Sequence, residues 1–266
     1  MNQLNDKARL RILKCLLEGV SIRSTARIVG VSKTTVLKLL AESGKACLEE
    51  HRKTMKNLKC ERIQMDEIWS FVHSKKRPQI QKHRGDMWTW IALDPDSKVV
   101  PCWLTGDRDS ETAERFIKEL STRIEGKTEL ASDGLRAYEI AIAKYMKECN
   151  YGMLIKHHTK NKKGGKLVIR KEPIQNKPNM KNISTSYIER HNLNIRMSVR
   201  RFTRKTNAFS KNIVNHTYAL ALHFYHYNFV RRHKSLGTTP CNAMGISKER
   251  GLESILKLME GEGDKR

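Results

Sequence analysis

Acidic residues are scarce in this chain. Its 266 residues include 28 Asp and Glu residues against 52 Lys and Arg residues, so the formal net charge is +24 and the pI is near 9.9. A surface with this surplus of positive charge attracts phosphate, which makes a nucleic acid the expected partner. A hydrophobic content of 38% is enough for a buried core and excludes disorder throughout.

Paired cysteines and long apolar runs are also missing. The six cysteines are scattered and form no C-x-x-C pair, so the sequence indicates neither a zinc knuckle nor a disulfide framework and favours a reducing, intracellular setting. The N-terminal residues are polar, so we expect no signal peptide. The longest uncharged stretch, 212–230, contains Asn and His residues that are costly in lipid, and therefore predicts a buried helix and no membrane partner.

Residues 1–42 are predicted to form a helix-turn-helix domain. Apolar spacing predicts helices over 6–18, 22–28 and 33–41, with Gly30 in the turn and Ser21 and Ser32 as N-caps. The residues expected to fill the angle between the helices are Ile22, Ile28, Val31, Val36 and Leu40. The polar residues expected to face the DNA major groove are Ser32, Lys33, Thr34, Thr35 and Lys38. A generic three-helix bundle with a basic face is the alternative, and a charged linker helix is expected over 43–58.

The middle of the chain has the pattern of a mixed α/β sheet. Short β-branched and aromatic runs predict five strands. The first three cover 62–72, 86–93 and 98–105, the fourth ends just before Asp133, and the fifth covers 152–156. Helices are predicted over 110–124 and 135–149, and Pro101 places the third strand at a sheet edge. This order predicts a ribonuclease H-like catalytic domain over 59–205, with a basic insertion over 157–186 and a C-terminal helical region over 206–266.

Three acidic residues are the candidate catalytic and metal-binding residues: Asp66, Asp133 and Glu189. In such a sheet the first and fourth strands are neighbours, so Asp66 and Asp133 are expected side by side, with Glu189 on a helix that packs over them. Carboxylates favour Mg²⁺, or Mn²⁺, over zinc, and two such ions can drive phosphoryl transfer.

Each of these acids has an alternative explanation. Glu67 could replace Asp66 as a ligand, but strand alternation is expected to send it to the opposite face, toward the core. Asp133 and Gly134 could simply form a turn, and Glu189 could simply stabilise the start of a helix. The histidine pairs at 157–158 and at 223 and 226 are expected to be core or surface residues.

Positive charge is concentrated in the window 156–205, which holds 15 Lys and Arg residues and only two acids. A solvated loop is one explanation; phosphate binding is the other. Arg196 follows Glu189 by two helical turns and is expected to share its face. The DNA-binding residues predicted here are Lys160, Lys162, Lys163, Lys166, Asn192, Arg196, Arg200 and Arg201.

Three blocks of sequence follow one another in order: MDEIWSFV over 65–72, SDGLRAY over 132–138 and IERHNLNIR over 188–196. Together they resemble the three catalytic blocks of DDE transposases of the insertion-sequence-one type. The helix-turn-helix at 21–32 and the tail over 227–240 are also similar, so the resemblance runs from about Ser21 to Gly245. Many members carry an N-terminal cysteine zinc finger, whereas this chain has no cysteine before Cys15.

The resemblance implies a transposase with a ribonuclease H-like domain, Mg²⁺, recognition of terminal inverted repeats, and DNA cleavage with strand transfer. It implies double-stranded DNA partners, both element ends and target, a homodimer or higher oligomer on DNA, and a cytoplasmic, nucleoid-associated location in a prokaryotic cell. Two other functions remain open at this point. One is a DNA-binding regulator with a silent catalytic domain, and the other is a nuclease of the same fold that does not join strands.

Overall fold

The computed structural model describes residues 4–73, 85–159 and 166–261. The strands are β1 Arg62–Val72, β2 Gly85–Leu93, β3 Cys102–Gly106, β4 Glu129–Asp133, β5 Asn150–Thr159 and β6 Lys166–Gln175. The helices are α1 Asp6–Leu17, α2 Ile22–Val29, α3 Lys33–Thr54, α4 Ser110–Ser121, α5 Ala137–Tyr145, α6 Ser186–Ser198, α7 Ile213–Tyr225, α8 Pro240–Ala243 and α9 Ser254–Met259. One 3₁₀ turn, Arg200–Phe202, follows α6, and a π turn, His226–Val230, follows α7.

The six strands form one mixed sheet in the order β3-β2-β1-β4-β5-β6. β4 runs parallel to both β1 and β5, whereas the outer pairs β2–β3 and β5–β6 are antiparallel. The predicted mixed α/β sheet is therefore confirmed, as is the expectation that the first and fourth strands are neighbours. β3 lies at an edge, as Pro101 predicted, although the strand begins only at Cys102.

The sequence did not predict β6. Residues 166–175 lie in the window interpreted as a basic insertion, yet their backbone pairs with β5 along its whole length, from Tyr151 opposite Gln175 to Thr159 opposite Lys166. The segment lacks the alternation of a half-buried strand because its described side chains are mostly exposed. An edge strand with charged side chains keeps its backbone paired on one side and wet on the other.

Helices α1 and α2 begin and end close to where the sequence predicted, and α3 begins where predicted. Ser21 caps α2 by accepting a hydrogen bond from the Ser24 amide at 3.1 Å, and Gly30 ends the helix with a positive φ of 75°. Val36 and Leu40 are buried on α3 as expected. Ile28 was expected in the same core and this was wrong, because 54% of it is exposed.

Helix α3 continues without interruption through the segment interpreted as a separate linker helix, as far as Thr54. Gly44 lies in its buried middle, where a helix ordinarily avoids glycine. A Cβ added at Gly44 would lie 2.4 Å from the Tyr218 Cβ and 2.5 Å from the Tyr218 carbonyl oxygen on α7. The glycine therefore allows the two helices to pack backbone to backbone.

The chain divides into two compact units. The first comprises 1–54, 69–87 and 192–266, and contains α1, α2, α3, α7, α8 and α9. The second comprises 55–68 and 88–191, and contains most of the sheet with α4 and α5. In the described part of the chain, none of the helices has the length and apolar character needed to cross a bilayer.

The close approach at Gly44 leads to the first testable prediction. In an ordinary helix interior, Gly→Ala stabilises by about 1 kcal/mol. Gly44→Ala should instead lower the free energy of unfolding by about 1–3 kcal/mol, because the new methyl group overlaps Tyr218. Urea unfolding followed by circular dichroism measures the change.

The neighbouring, exposed Lys45 provides the control. Lys45→Ala should change the free energy of unfolding by less than about 0.5 kcal/mol, as surface substitutions usually do. A stabilised Gly44→Ala variant would contradict the close approach of α3 and α7.

Candidate metal centre

The pairing of β1 with β4 sets the position of the first two candidate acids. The strands run parallel in a register that places Gln64 opposite Ala131 and Met65 opposite Ser132. One further step of the same register brings Asp66 level with Asp133, the last residue of β4. The two carboxylates that the sequence expected side by side are therefore brought together by the sheet itself.

A third carboxylate, that of Glu67, belongs to this group. One oxygen atom from each of Asp66, Glu67 and Asp133 lies within 4.8 Å of the other two. Glu67 is buried, as strand alternation predicted, but its carboxylate still lies beside those of Asp66 and Asp133. Asp66 bends along the strand, where its Oδ1 accepts a hydrogen bond from the Glu67 amide at 2.9 Å, so alternation of the backbone does not keep the carboxylates apart.

Glu67 is the buried member of the group, with 7% of the residue exposed. The Tyr138 hydroxyl donates a hydrogen bond to its Oε1, and Arg108 Nε donates to its Oε2 at 3.0 Å. Burial, together with the negative charges of Asp133 and Asp66, raises the pKa of Glu67 to about 7, although both hydrogen bonds favour the ionised form. The hydrogen bond from Arg108 therefore does not offset the effects of burial and of the neighbouring carboxylates on the pKa of Glu67.

Arg108 is the cation that faces this charge. Besides Glu67, it donates through Nη2 to Asp133 Oδ2 at 3.4 Å, and its guanidinium carbon lies 5.1 Å from the Trp88 ring centroid. Asp133 is held from its other side, because its Oδ1 accepts a hydrogen bond from the Leu135 amide at 3.0 Å. Arg108 thus ties the buried Glu67 to the more exposed Asp133.

Glu189 is not part of the three-carboxylate group found among the described residues. Its carboxylate forms an ion pair with Lys156 and accepts a hydrogen bond from the Thr185 hydroxyl. Partial burial alone would raise the pKa of Glu189, but these two hydrogen bonds outweigh it and the pKa is lowered. Glu189 is therefore held as an ion by a lysine of β5.

Gln64 fixes the start of the helix that carries Glu189. Its buried side-chain oxygen accepts hydrogen bonds from the backbone amides of Tyr187 at 2.9 Å and Ile188 at 3.1 Å. These amides are among the first of α6 and have no partner within the helix. Because Gln64 precedes Asp66 by two residues on β1, it shares its face of the strand, and the first turn of α6 is anchored to that face.

The donor set fits a hard divalent cation. All three members of the group offer carboxylate oxygens and none offers sulfur or imidazole nitrogen, which suits Mg²⁺ or Mn²⁺ rather than zinc.

The predicted DNA-binding residues fall into three groups. Ser32, Lys33, Thr34 and Lys38 are exposed at the start of α3, and Ser32 caps that helix through the Thr35 amide at 3.1 Å. Arg200 is exposed, Arg196 and Arg201 are partly buried, and Asn192 is buried. Lys160, Lys162 and Lys163 lie outside the described residues, and of Lys166 only the backbone is described.

From the sequence, Glu67 was considered as a ligand and set aside, and four other parts of this site were not predicted: Gln64, Arg108, Tyr138 and Lys156. Only Gln64 had a usable signal, because a polar residue two positions before Asp66 stands on the same face of a strand. Arg108 and Tyr138 come from a loop and a helix, and nothing in their spacing relates them to Asp66.

Neither a family model nor a curated protein matches the chain. The solved structures similar to it include the Mos1 transposase paired-end complex with left transposon end, at 11% identity and a TM-score of 0.21, covering 56% of this chain and 60% of that one. They also include the Mos1 strand transfer complex, at 10% identity and a TM-score of 0.21, covering 100% and 81%. Similarity at this level is too low to carry an argument about function.

The pKa of Glu67 leads to a prediction about stability. Between its ordinary value of 4.5 and about 7, the folded protein keeps a proton on Glu67 that the unfolded chain has lost. The free energy of unfolding therefore falls as pH rises through this interval. Without divalent ions, the free energy of unfolding of the wild type should therefore fall between pH 5 and pH 8. In Glu67→Gln this decrease should be smaller by about 2–3 kcal/mol, at about 1.4 kcal/mol per pKa unit.

Urea unfolding in the presence of a chelator, at both pH values, measures this difference. Glu114→Gln is the control, because the Glu114 side chain on α4 is 43% exposed, and it should leave the loss between pH 5 and pH 8 close to that of the wild type. Equal losses in Glu67→Gln and the wild type would show that Glu67 titrates normally.

Proposed function

We propose that this protein is a DNA transposase of the DDE type, which binds terminal inverted repeats and catalyses metal-dependent cleavage and strand transfer. Asp66, Asp133 and Glu189 are its proposed catalytic and metal-binding residues, with two Mg²⁺ or Mn²⁺ ions. The sheet, with its central parallel β1–β4 pair, is its proposed ribonuclease H-like catalytic core. Helices α1–α3 form its proposed helix-turn-helix.

One observation carries this proposal: carboxylates converge at neighbouring parallel strands in a chain with a net charge of +24. Such a cluster is costly to maintain, as the raised pKa of Glu67 indicates. A strongly basic chain attracts a polyanion, and an acidic centre on that chain needs a cation before a phosphate can approach. The three sequence blocks that resemble DDE transposases contain these same acids.

The chain's own residues divide the work. Asp66 and Asp133 would hold the metal, and Glu67 would hold Arg108 in place through its Nε hydrogen bond. Bound ions would activate a nucleophile and stabilise a leaving oxygen in phosphoryl transfer. Lys156 holds Glu189 ionised on α6, whose start is fixed by Gln64, and Glu189 would be the third carboxylate to hold the metal.

The carboxylates are tested by substitutions that remove charge and little volume. Asp66→Asn, Asp133→Asn and Glu189→Gln should each reduce cleavage and joining of DNA carrying element ends by more than about 10²-fold, since metal-assisted chemistry supplies several kcal/mol. Binding to the same DNA should change by less than threefold. A plasmid assay with Mg²⁺ that separates nicked from joined products measures both steps.

Matched controls are available outside the site. Asp96 pairs with Arg62 in a surface turn, and Glu114 pairs with Lys144 on α4, so Asp96→Asn and Glu114→Gln should retain wild-type cleavage. If Glu189→Gln also cleaves normally while Asp66→Asn does not, the third ligand is Glu67 rather than Glu189. Nicking without joining would identify a nuclease, and binding without either step would identify a regulator.

A second test concerns the start of α3. Lys33→Ala with Thr34→Ala should weaken binding to element ends by tenfold or more, because base contacts are worth about 1–3 kcal/mol each. Binding to random DNA should fall only a few-fold, since phosphate contacts carry no sequence information. Fluorescence anisotropy with end and scrambled duplexes at one salt concentration measures the ratio.

The same helix supplies the control. Lys53 and Thr54 form a second Lys-Thr pair at the far end of α3. Lys53→Ala with Thr54→Ala removes the same groups and should leave the preference for ends unchanged. An equal reduction of affinity for end and random DNA in the Lys33 and Thr34 variant would make this end of the helix a nonspecific anchor.

A further inference from the structure

A cavity of about 600 Å³ lies in the first compact unit. Its wall is formed by the end of β1 and by the segment 201–209 that follows α6. The size falls within the range of small-ligand pockets. Its lining includes both aromatic rings and cationic side chains.

The partly exposed aromatic residues of the lining are Trp69 and Phe71 of β1 and Phe209, whereas Phe202 is buried. The Phe71 and Phe209 rings stack with their centroids 4.8 Å apart and an interplanar angle of 30°, and the Trp69 ring centroid lies 5.6 Å from that of Phe71. All three are only partly buried, in a chain with just 6% aromatic residues. A partly exposed stack of rings presents a flat apolar surface that is costly to leave in water.

The cations are Arg201, Arg204 and Lys205. None of the three forms an ion pair with an acid in the described part of the chain. Burial lowers the pKa of Arg201 to about 10, so it stays charged at neutral pH. Lys205 has a φ of 57°, a left-handed conformation that is uncommon for a residue other than glycine and that concentrates at ligand-binding sites.

Stacked rings beside cations that have no acidic ion-pair partner among the described residues match the two parts of a nucleotide, its base and its phosphate. Bases stack on aromatic side chains, and phosphates bind Lys and Arg, in proteins that hold single-stranded DNA. A base inside a duplex is already stacked and paired, so only an unpaired or extruded base can reach the rings.

We propose that this cavity binds one unpaired nucleobase of the DNA substrate, which stacks on Trp69, Phe71 and Phe209 while flanking phosphates bind Arg204 and Lys205. The inference rests on the proposed function for the identity of the polyanion. It adds that the substrate must be locally unpaired when bound.

The test uses the full chain, without divalent ions, and two single strands of about 12 nucleotides, a length in the range that one single-strand site covers. One strand is made of thymidines and the other of abasic units with the same phosphates. Wild-type protein should bind the thymidine strand at least tenfold more tightly by fluorescence anisotropy.

Phe209→Leu and Trp69→Leu should each reduce this ratio to about twofold or less, without changing affinity for the abasic strand. Tyr145→Leu, a partly exposed ring on α5 outside the cavity, is the matched control and should keep the ratio.

The cations should behave differently from the rings. Arg204→Gln with Lys205→Gln should weaken binding of both strands equally and reduce the slope of log affinity against log salt by about 0.7 for each phosphate that is no longer bound. In a second arm, a duplex with one unpaired 2-aminopurine should lose fluorescence on binding to wild-type protein but not to Phe209→Leu, and a fully paired duplex should show no change. Quenching in the fully paired duplex would overturn the requirement for an unpaired base.

Equal wild-type affinity for the thymidine and abasic strands would overturn the proposal, even if a leucine variant fails to fold. Metal-dependent cleavage that requires Asp66, in a protein without base preference, would leave the proposed function standing and overturn the base-binding role of the cavity. Base preference in a protein that never cleaves DNA would support the cavity and overturn the proposed function.

Discussion

The parallel pairing of β1 with β4 is the constraint on which the site depends. It places two carboxylates level with each other at adjacent strands, where like charges repel and each makes the other harder to ionise. Hydrogen bonds from surrounding residues offset part of this repulsion. Arg108 donates to Glu67 and Asp133, and the Tyr138 hydroxyl donates to Glu67. A sheet shifted by one residue would separate the acids and leave Arg108 without its two partners.

The charge of the whole chain contrasts with that of the acidic centre. A chain with nearly two basic residues for each acid carries a strong positive field, and the acids at the centre are the exception to it. Even Glu189 is ion-paired with Lys156. In water an exposed pair of this kind stabilises little, so the pair is better understood as an interaction that can be exchanged than as one that holds the fold.

Much of the sheet could be predicted from the sequence because period-two patterns and turn residues are local signals. β1 has the predicted bounds, and the adjacency of Asp66 and Asp133 followed from strand order alone. β6 could not be predicted, because an exposed edge strand carries no alternation. Gly44 lies inside the predicted linker helix, and no local pattern explains a glycine there, because its cause is Tyr218, a neighbour far away along the chain. The side-chain hydrogen bonds of Glu67 come from Arg108 and Tyr138, which lie far from it along the chain, so no local spacing encodes them.

Arg108 also has a consequence for ion selectivity. A metal ion bound at Asp133 would compete with the Arg108 guanidinium for the same carboxylate, so its affinity would be the difference between two ionic interactions. A monovalent ion brings no more charge than the arginine and gains nothing by the exchange. A divalent ion does gain, since Coulomb energy scales with charge. A residue that never touches the metal would thus set which ions the acids accept.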